Sequence, residues 1–145
     1  MTREILFKAQ RLDNGEWVEG NIVDVPEDAD FMPGAYILPR LVSARADPPT
    51  KGIMLGGFFE VDPSTVCQYT GLTDKNGVKI FEGDILSYNG SREPVIFNTD
   101  LRIPCFTTEI GSGSSTPLHP YKLSKRHFVI GSIHDGEGGQ HERVD

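Results

Sequence analysis

The chain has 145 residues and 16.0 kDa, with 14 Lys plus Arg against 21 Asp plus Glu and a formal net charge of −7. That length suits a single domain, residues 1–145, whose modest core needs neither disulfide nor metal. The acidic balance argues against a sequence-blind basic face for nucleic-acid backbones, and no run approaches the roughly 18 apolar residues of a membrane span.

The start, Met1-Thr2-Arg3-Glu4-Ile5, has no apolar leader, and Cys67 and Cys105 lack any C-x-x-C partner, so a soluble intracellular protein with reduced thiols is expected. Gly 16 and Pro 10 punctuate the chain, and no amphipathic run of helical period stands out, whereas short β-rich runs recur. The expected strands are Arg3 to Ala9, Glu16 to Val25, Ala35 to Leu38, Gly57 to Val61, Cys67 to Thr70, Val78 to Phe81, Asp84 to Tyr88, Val95 to Asn98 and Phe128 to His134.

Asn14-Gly15, Asn76-Gly77 and Asn89-Gly90 are each expected to form a type I′ hairpin turn, because both residue types tolerate positive φ. The first turn would pair Ile5-Leu6-Phe7 with Trp17-Val18, and the second Gln68-Tyr69-Thr70 with Val78-Lys79-Ile80. The third would pair Ile85-Leu86 with Val95-Ile96-Phe97, and Glu82-Gly83-Asp84 forms a tight turn between the second and third hairpins. One helical turn is expected in Val61 to Val66, with Asp62 as N-cap and Pro63 at the first position. Pro26 to Pro33, Ser43 to Gly57 and Gly111 to Pro120 read as irregular, the last as a linker. These strands divide into an N-terminal β sub-region 1–60 and a barrel sub-region 61–135, with a polar tail at 136–145.

Three stretches carry a resemblance. Arg3-Glu4-Ile5-Leu6-Phe7-Lys8, running on through Arg11-Leu12-Asp13-Asn14-Gly15-Glu16-Trp17-Val18-Glu19-Gly20, is similar to the N-terminal signature of the YopX family of small phage and prophage proteins. Gln68-Tyr69-Thr70-Gly71-Leu72 followed by Asn76-Gly77 and Glu82-Gly83-Asp84-Ile85 resembles that family's most specific block, and Val129-Ile130-Gly131-Ser132-Ile133-His134 resembles its ending. The resemblance implies a mainly β fold with a small barrel-like sheet. The expected architecture is therefore a small SH3-like or pseudo-barrel of short antiparallel strands, with hairpins, long loops and at most one or two short helical turns. Phage origin implies the cytoplasm of a bacterial host, and no catalytic residue is carried over.

Chemistry-bearing residues have bland alternatives. His119, His127, His134 and His141 match neither zinc-ribbon nor H-E-x-x-H spacing, so no metal and no cofactor is expected. Neither cysteine has a sequence neighbour that would activate it, and Gly111-Ser112-Gly113-Ser114-Ser115 is neither a nucleophile elbow nor a phosphate cradle. Asp74, Glu82 and Asp84 could bind a cation or work as an acid–base pair, but turn chemistry explains them more simply. A binding surface, if present, would use Trp17, Tyr69 and Tyr88 with Lys122, Lys125 and Arg126 of the one basic cluster.

The resulting expectation is a non-catalytic accessory protein that self-associates as a homo-oligomer and binds a host or phage protein, with no membrane role. The alternative is a small-barrel nucleic-acid binder, disfavoured by charge, and an enzyme ranks third.

Overall fold

The computed structural model describes residues 4–30, 32–39, 43–47, 52–99, 104–110, 114–118 and 126–135. The described chain is mainly β, and every strand pairing in it is antiparallel. Its strands fall into two compact units, residues 5–68 and residues 69–145 with 1–4.

In the first unit, β1 (Phe7–Gln10), β2 (Trp17–Val25) and β3 (Gly34–Pro39) pair in chain order. A separate hairpin of β4 (Ser43–Asp47) and β5 (Gly52–Gly56) follows, and then β6 (Phe59–Val61) returns to pair with β3. The N–H of Leu12 donates to the Glu60 carbonyl at 3.1 Å and that of Asp62 to the Gln10 carbonyl at 2.9 Å, flanking a bridge between Arg11 and Val61. The end of β1 thus meets β6 on the far side of the ring, joined there by one bridge. The result is a pseudo-barrel, not a closed one.

Period-2 alternation fills this ring. Ala9, Ala35, Ile37 and Val61 form its core, with Phe7, Val18, Ile22 and Val66 packed against them. Ile37 and Val61 are fully buried, each contributing roughly 1.5–3 kcal/mol. Gly20 opposes Phe7 on one side and Pro39 on the other, and a Cβ built there would lie 2.1 Å from the Leu38 carbonyl oxygen, so only glycine allows β2 and β3 to approach this closely.

The helical turn forms as expected: a 3₁₀ turn covers Pro63–Thr65, and the Asp62 carboxylate accepts the Ser64 N–H at 3.0 Å. Thr65, buried behind it, accepts the Gln10 N–H at 2.9 Å. β7 (Cys67–Thr73) then begins beside β1 and ends beside β8 (Lys79–Phe81).

In the second unit, β9 (Asp84–Ser87) lies between β13 (Phe128–Ser132) and β10 (Glu93–Asn98), which continues to β11 (Cys105–Ile110) and the edge strand β12 (Ser114–Pro117). Ile80, Leu86 and Val95 are its core, joined by Leu72, Phe106, Leu118 and Val129.

Only one of the three Asn-Gly turns has the expected geometry. Asn89 and Gly90 both take positive φ, 52° and 81°, and the Ser91 N–H closes the turn on the Tyr88 carbonyl. At Asn14-Gly15 and Asn76-Gly77 only the glycine is left-handed, because Asn14 instead uses its side chain to accept the Glu16 N–H, and Asp74 caps the other turn. These turns place the registers differently from expectation: Gln10 faces Trp17, Tyr69 faces Phe81 and Leu86 faces Glu93.

Two segments expected to be irregular contain strands. The prolines of Ser43 to Gly57 fall between β4 and β5, and β12 holds Ser and Thr in an edge position where pairing is made by backbone alone and Pro117 is tolerated. The tail from Gly136 lies outside the described residues. No described helix is long and apolar enough to cross a membrane.

Candidate functional site

The densest polar arrangement of the second unit begins with Asp74. This buried carboxylate accepts N–H groups from Asn76 at 2.8 Å and Val78 at 2.9 Å through one oxygen, and from Val129 at 2.9 Å through the other. The Lys75 N–H also donates to the His127 carbonyl at 3.0 Å. Together these bonds pin the start of β13 to the turn between β7 and β8, and so fix where His127 stands.

The His127 ring lies against Tyr88, with centroids 5.3 Å apart, and its Nε2 is 3.4 Å from Glu93 Oε2. Ser91 completes the cluster: it accepts the Tyr88 N–H at 3.0 Å and donates its hydroxyl to Glu93 Oε2 at 2.6 Å. Both members of the His127–Glu93 pair are largely buried, and among the described residues His127 Nδ1 has no hydrogen-bond partner. Arg126 sits 5.7 Å from the Tyr88 ring, and the Lys75 ammonium 4.6 Å from the Phe128 ring, both within cation–π range.

Chemically this is an imidazole–carboxylate pair beside an aromatic ring and a guanidinium. It is not a nucleophile–base pair, because the Ser91 hydroxyl is spent on Glu93 and not on the imidazole. Asp74 and Asp84 act as structural acceptors, the latter taking the Phe81 N–H at 2.8 Å across the Gly83 turn. Among the described residues no three His, Cys, Asp or Glu side chains come together as a metal-holding group.

The other surface residues singled out in the sequence stand in separate places. Trp17 begins β2, with the Lys8 ammonium 4.7 Å over its ring. Tyr69 packs its ring 5.5 Å from Phe81, and burial, followed by the charge of Glu4, pushes its phenol above the usual value. Lys79 lies 5.9 Å from the Tyr69 ring and 3.8 Å from Glu4. Tyr88 and Arg126 are thus brought together, whereas Lys122, Lys125, His119 and His141 lie outside the described residues. Cys67 is buried with its thiol 3.1 Å from the Thr65 carbonyl, and Cys105 is half-buried on β11; neither forms a disulfide with the other.

The Ser91–Glu93–His127 arrangement is absent from the sequence reading. Its two halves come from the β9–β10 hairpin and the start of β13, far apart in the chain, and no spacing rule links them.

The fold is similar to the crystal structure of protein EF1440 from Enterococcus faecalis, with 26% identity, a TM-score of 0.62, and coverage of 92% of this chain and 95% of that one. A comparison with curated proteins finds no match. The family model described as YopX protein matches residues 39–136, a span that holds β4 to β13 and leaves the N-terminal signature outside. With that match covering more than half of its length, the chain belongs to the YopX family.

Proposed function

We propose that the protein is a phage- or prophage-derived accessory protein that works in the bacterial cytoplasm as a non-catalytic binding module and self-associates. The YopX family has no assigned activity, and no catalytic family is indicated. The observation that carries the reading is the set of large apolar side chains that residues 5–68 hold out to water: Leu12 at 56% exposure, Val23 at 38%, Met32 at 57% and Phe58 at 43%. Two of the carboxylates singled out for acid–base work, Asp74 and Asp84, are committed instead to backbone N–H groups, Asp74 most fully.

Light scattering across a concentration series, with a tagged capture from phage-infected cells, tests this. The expected result is a mass above the 16.0 kDa monomer that rises with concentration, and a captured protein retained after nuclease treatment. A strict monomer that captures nothing overturns the proposal.

One observation favours the nucleic-acid reading as a second possibility: Tyr88 lies beside both Arg126 and His127, the pairing of aromatic face and cation on which single strands stack. A titration with single-stranded and duplex oligonucleotides at low and moderate salt tests it. Binding that weakens with salt and is lost in Tyr88→Ala supports it, and no binding at either salt ends it.

A further inference from the structure

On the first unit, strand register assembles a patch that the core does not use. Val23 faces Tyr36 across β2 and β3, and Tyr36 faces Glu60 across β3 and β6. Leu12, whose N–H donates to the Glu60 carbonyl, stands next in line. Ala35, Ile37 and Val61, the neighbours of Tyr36 and Glu60 on their strands, are buried in the core, so the pleat turns Tyr36, Glu60 and Val23 to the outside. Val23 is 38% exposed and Glu60 exposed, while the Tyr36 hydroxyl donates to the Met32 carbonyl at 2.9 Å and brings exposed Met32 to the same end of the hairpin.

The carboxylate sits in the middle of this apolar row. A Cβ built on Gly34 would be 3.1 Å from Glu60 Oε2 and 3.6 Å from the Tyr36 ring, so both side chains fold over the bare glycine. Among the described residues no cation pairs with Glu60. Arg11, close by on the bridge to β6, is committed to Asp13 at 2.6 Å and to the Phe59 ring at 4.2 Å. The surroundings add negative charge: Glu27, Asp28 and Asp30 are exposed between β2 and β3, and residues 5–68 carry 10 carboxylates to 5 cations.

An apolar row with a carboxylate at its centre and an acidic rim specifies its partner by charge. A second copy docked face to face would set Glu60 against Glu60 and rim against rim, which electrostatic complementarity disfavours. We infer that this outer face, Leu12, Val23, Met32, Tyr36 and Glu60, docks a partner-protein segment in which a Lys or Arg is flanked by apolar side chains. The cation meets Glu60 and the apolar neighbours cover the row. This rests on the binding reading above and names its surface and the chemistry of its partner.

The test uses the full chain, labelled with ¹⁵N, and two synthetic peptides, one alternating Leu with Arg and the other Leu with Glu. The Leu–Arg peptide is expected to shift the amides of Val23, Gly34, Tyr36 and Glu60, to bind about tenfold more weakly to Glu60→Gln, and to weaken with salt. The Leu–Glu peptide is expected to shift none of them. Shifts confined to other residues, or equal affinity for wild type and Glu60→Gln, overturn the inference. Glu60→Lys separates the two proposals: if that variant still self-associates and still captures the partner caught by wild type, this face is wrong and the binding reading stands.

Discussion

The two units of the chain bury different kinds of side chain. Of the eight buried polar or charged residues described, Thr65 alone belongs to residues 5–68, and Asp74, Asp84, Ser87, Glu93, Thr107, Thr108 and Ser132 all belong to the other unit. Buried apolar residues are shared almost evenly, so the difference is not one of core size. The first unit is defined by steric fit: Ala9, Ala35 and Gly20 keep the ring tight enough for Ile37 and Val61 to fill it. The second is defined by acceptors that hold turns in place, with carboxylates doing for loops what capping does for helices.

The comparison breaks most easily at Asp74. Asp74→Ala removes one carboxylate and leaves three backbone N–H groups, those of Asn76, Val78 and Val129, without their acceptor. The expected cost is about 3–5 kcal/mol, read as a lowered urea midpoint. Hydrogen exchange should accelerate first at Val78, Val129 and the rest of β13, while β2 and β3 keep their protection. Equal loss in both units would mean that they unfold as one cooperative body and that the contrast has no energetic meaning.

Gly20→Ala is the matching probe of the first unit. The new methyl would lie 2.1 Å from the Leu38 carbonyl oxygen and 2.8 Å from the Pro39 Cα, and both are backbone atoms that cannot swing aside. A loss of about 2–3 kcal/mol is expected, with exchange accelerating in β2 and β3. Gly71→Ala separates crowding from backbone strain, since Gly71 has φ +88° and nothing within 4 Å of a built Cβ. It should cost about 1 kcal/mol. A Gly20→Ala protein no less stable than Gly71→Ala would show that the strands part without penalty.

Much of the first unit was legible because its signals are local. Period-2 runs marked β2, β3 and β6, and Asp62-Pro63 announced the 3₁₀ turn by a capping rule that needs only adjacent residues. One missed strand, β12, has no such signal. β12 is built from Ser and Thr, residues equally at home in loops, and it exists because β11 offers it an edge to pair with. The candidate site was half legible for the same reason. Tyr88 and Arg126 stood out as an aromatic and a cation, and the role of Asp74 as a turn residue could be read from Asp74-Lys75-Asn76-Gly77. Its bond to Val129 and the Glu93–His127 pair depend on a strand that arrives from far along the chain, and turn chemistry carries no information about that return.

The smallest expected effect concerns Tyr69, which tests how well the second unit excludes water at its first residue. Burial is the larger cause of its raised phenol pKa and the Glu4 carboxylate the second, and both favour the neutral form. A folded value above the unfolded one means that the folded chain holds the phenolic proton more tightly. The resulting stabilisation is complete below the ordinary value of 10.0 and is lost as pH rises through the higher folded value. Absorbance near the phenolate band should therefore show a late-titrating component, and Tyr69→Phe should remove it. Glu4→Gln should bring it only part of the way back, because burial remains. It also frees Lys79, which lies 3.8 Å from that carboxylate and 5.9 Å from the ring, to act on the phenolate alone. A Tyr69 that titrates at the ordinary phenol value would place water against this face of β7, and the second unit would then owe its order to Asp74 and its neighbours with little help from the Tyr69–Phe81 contact.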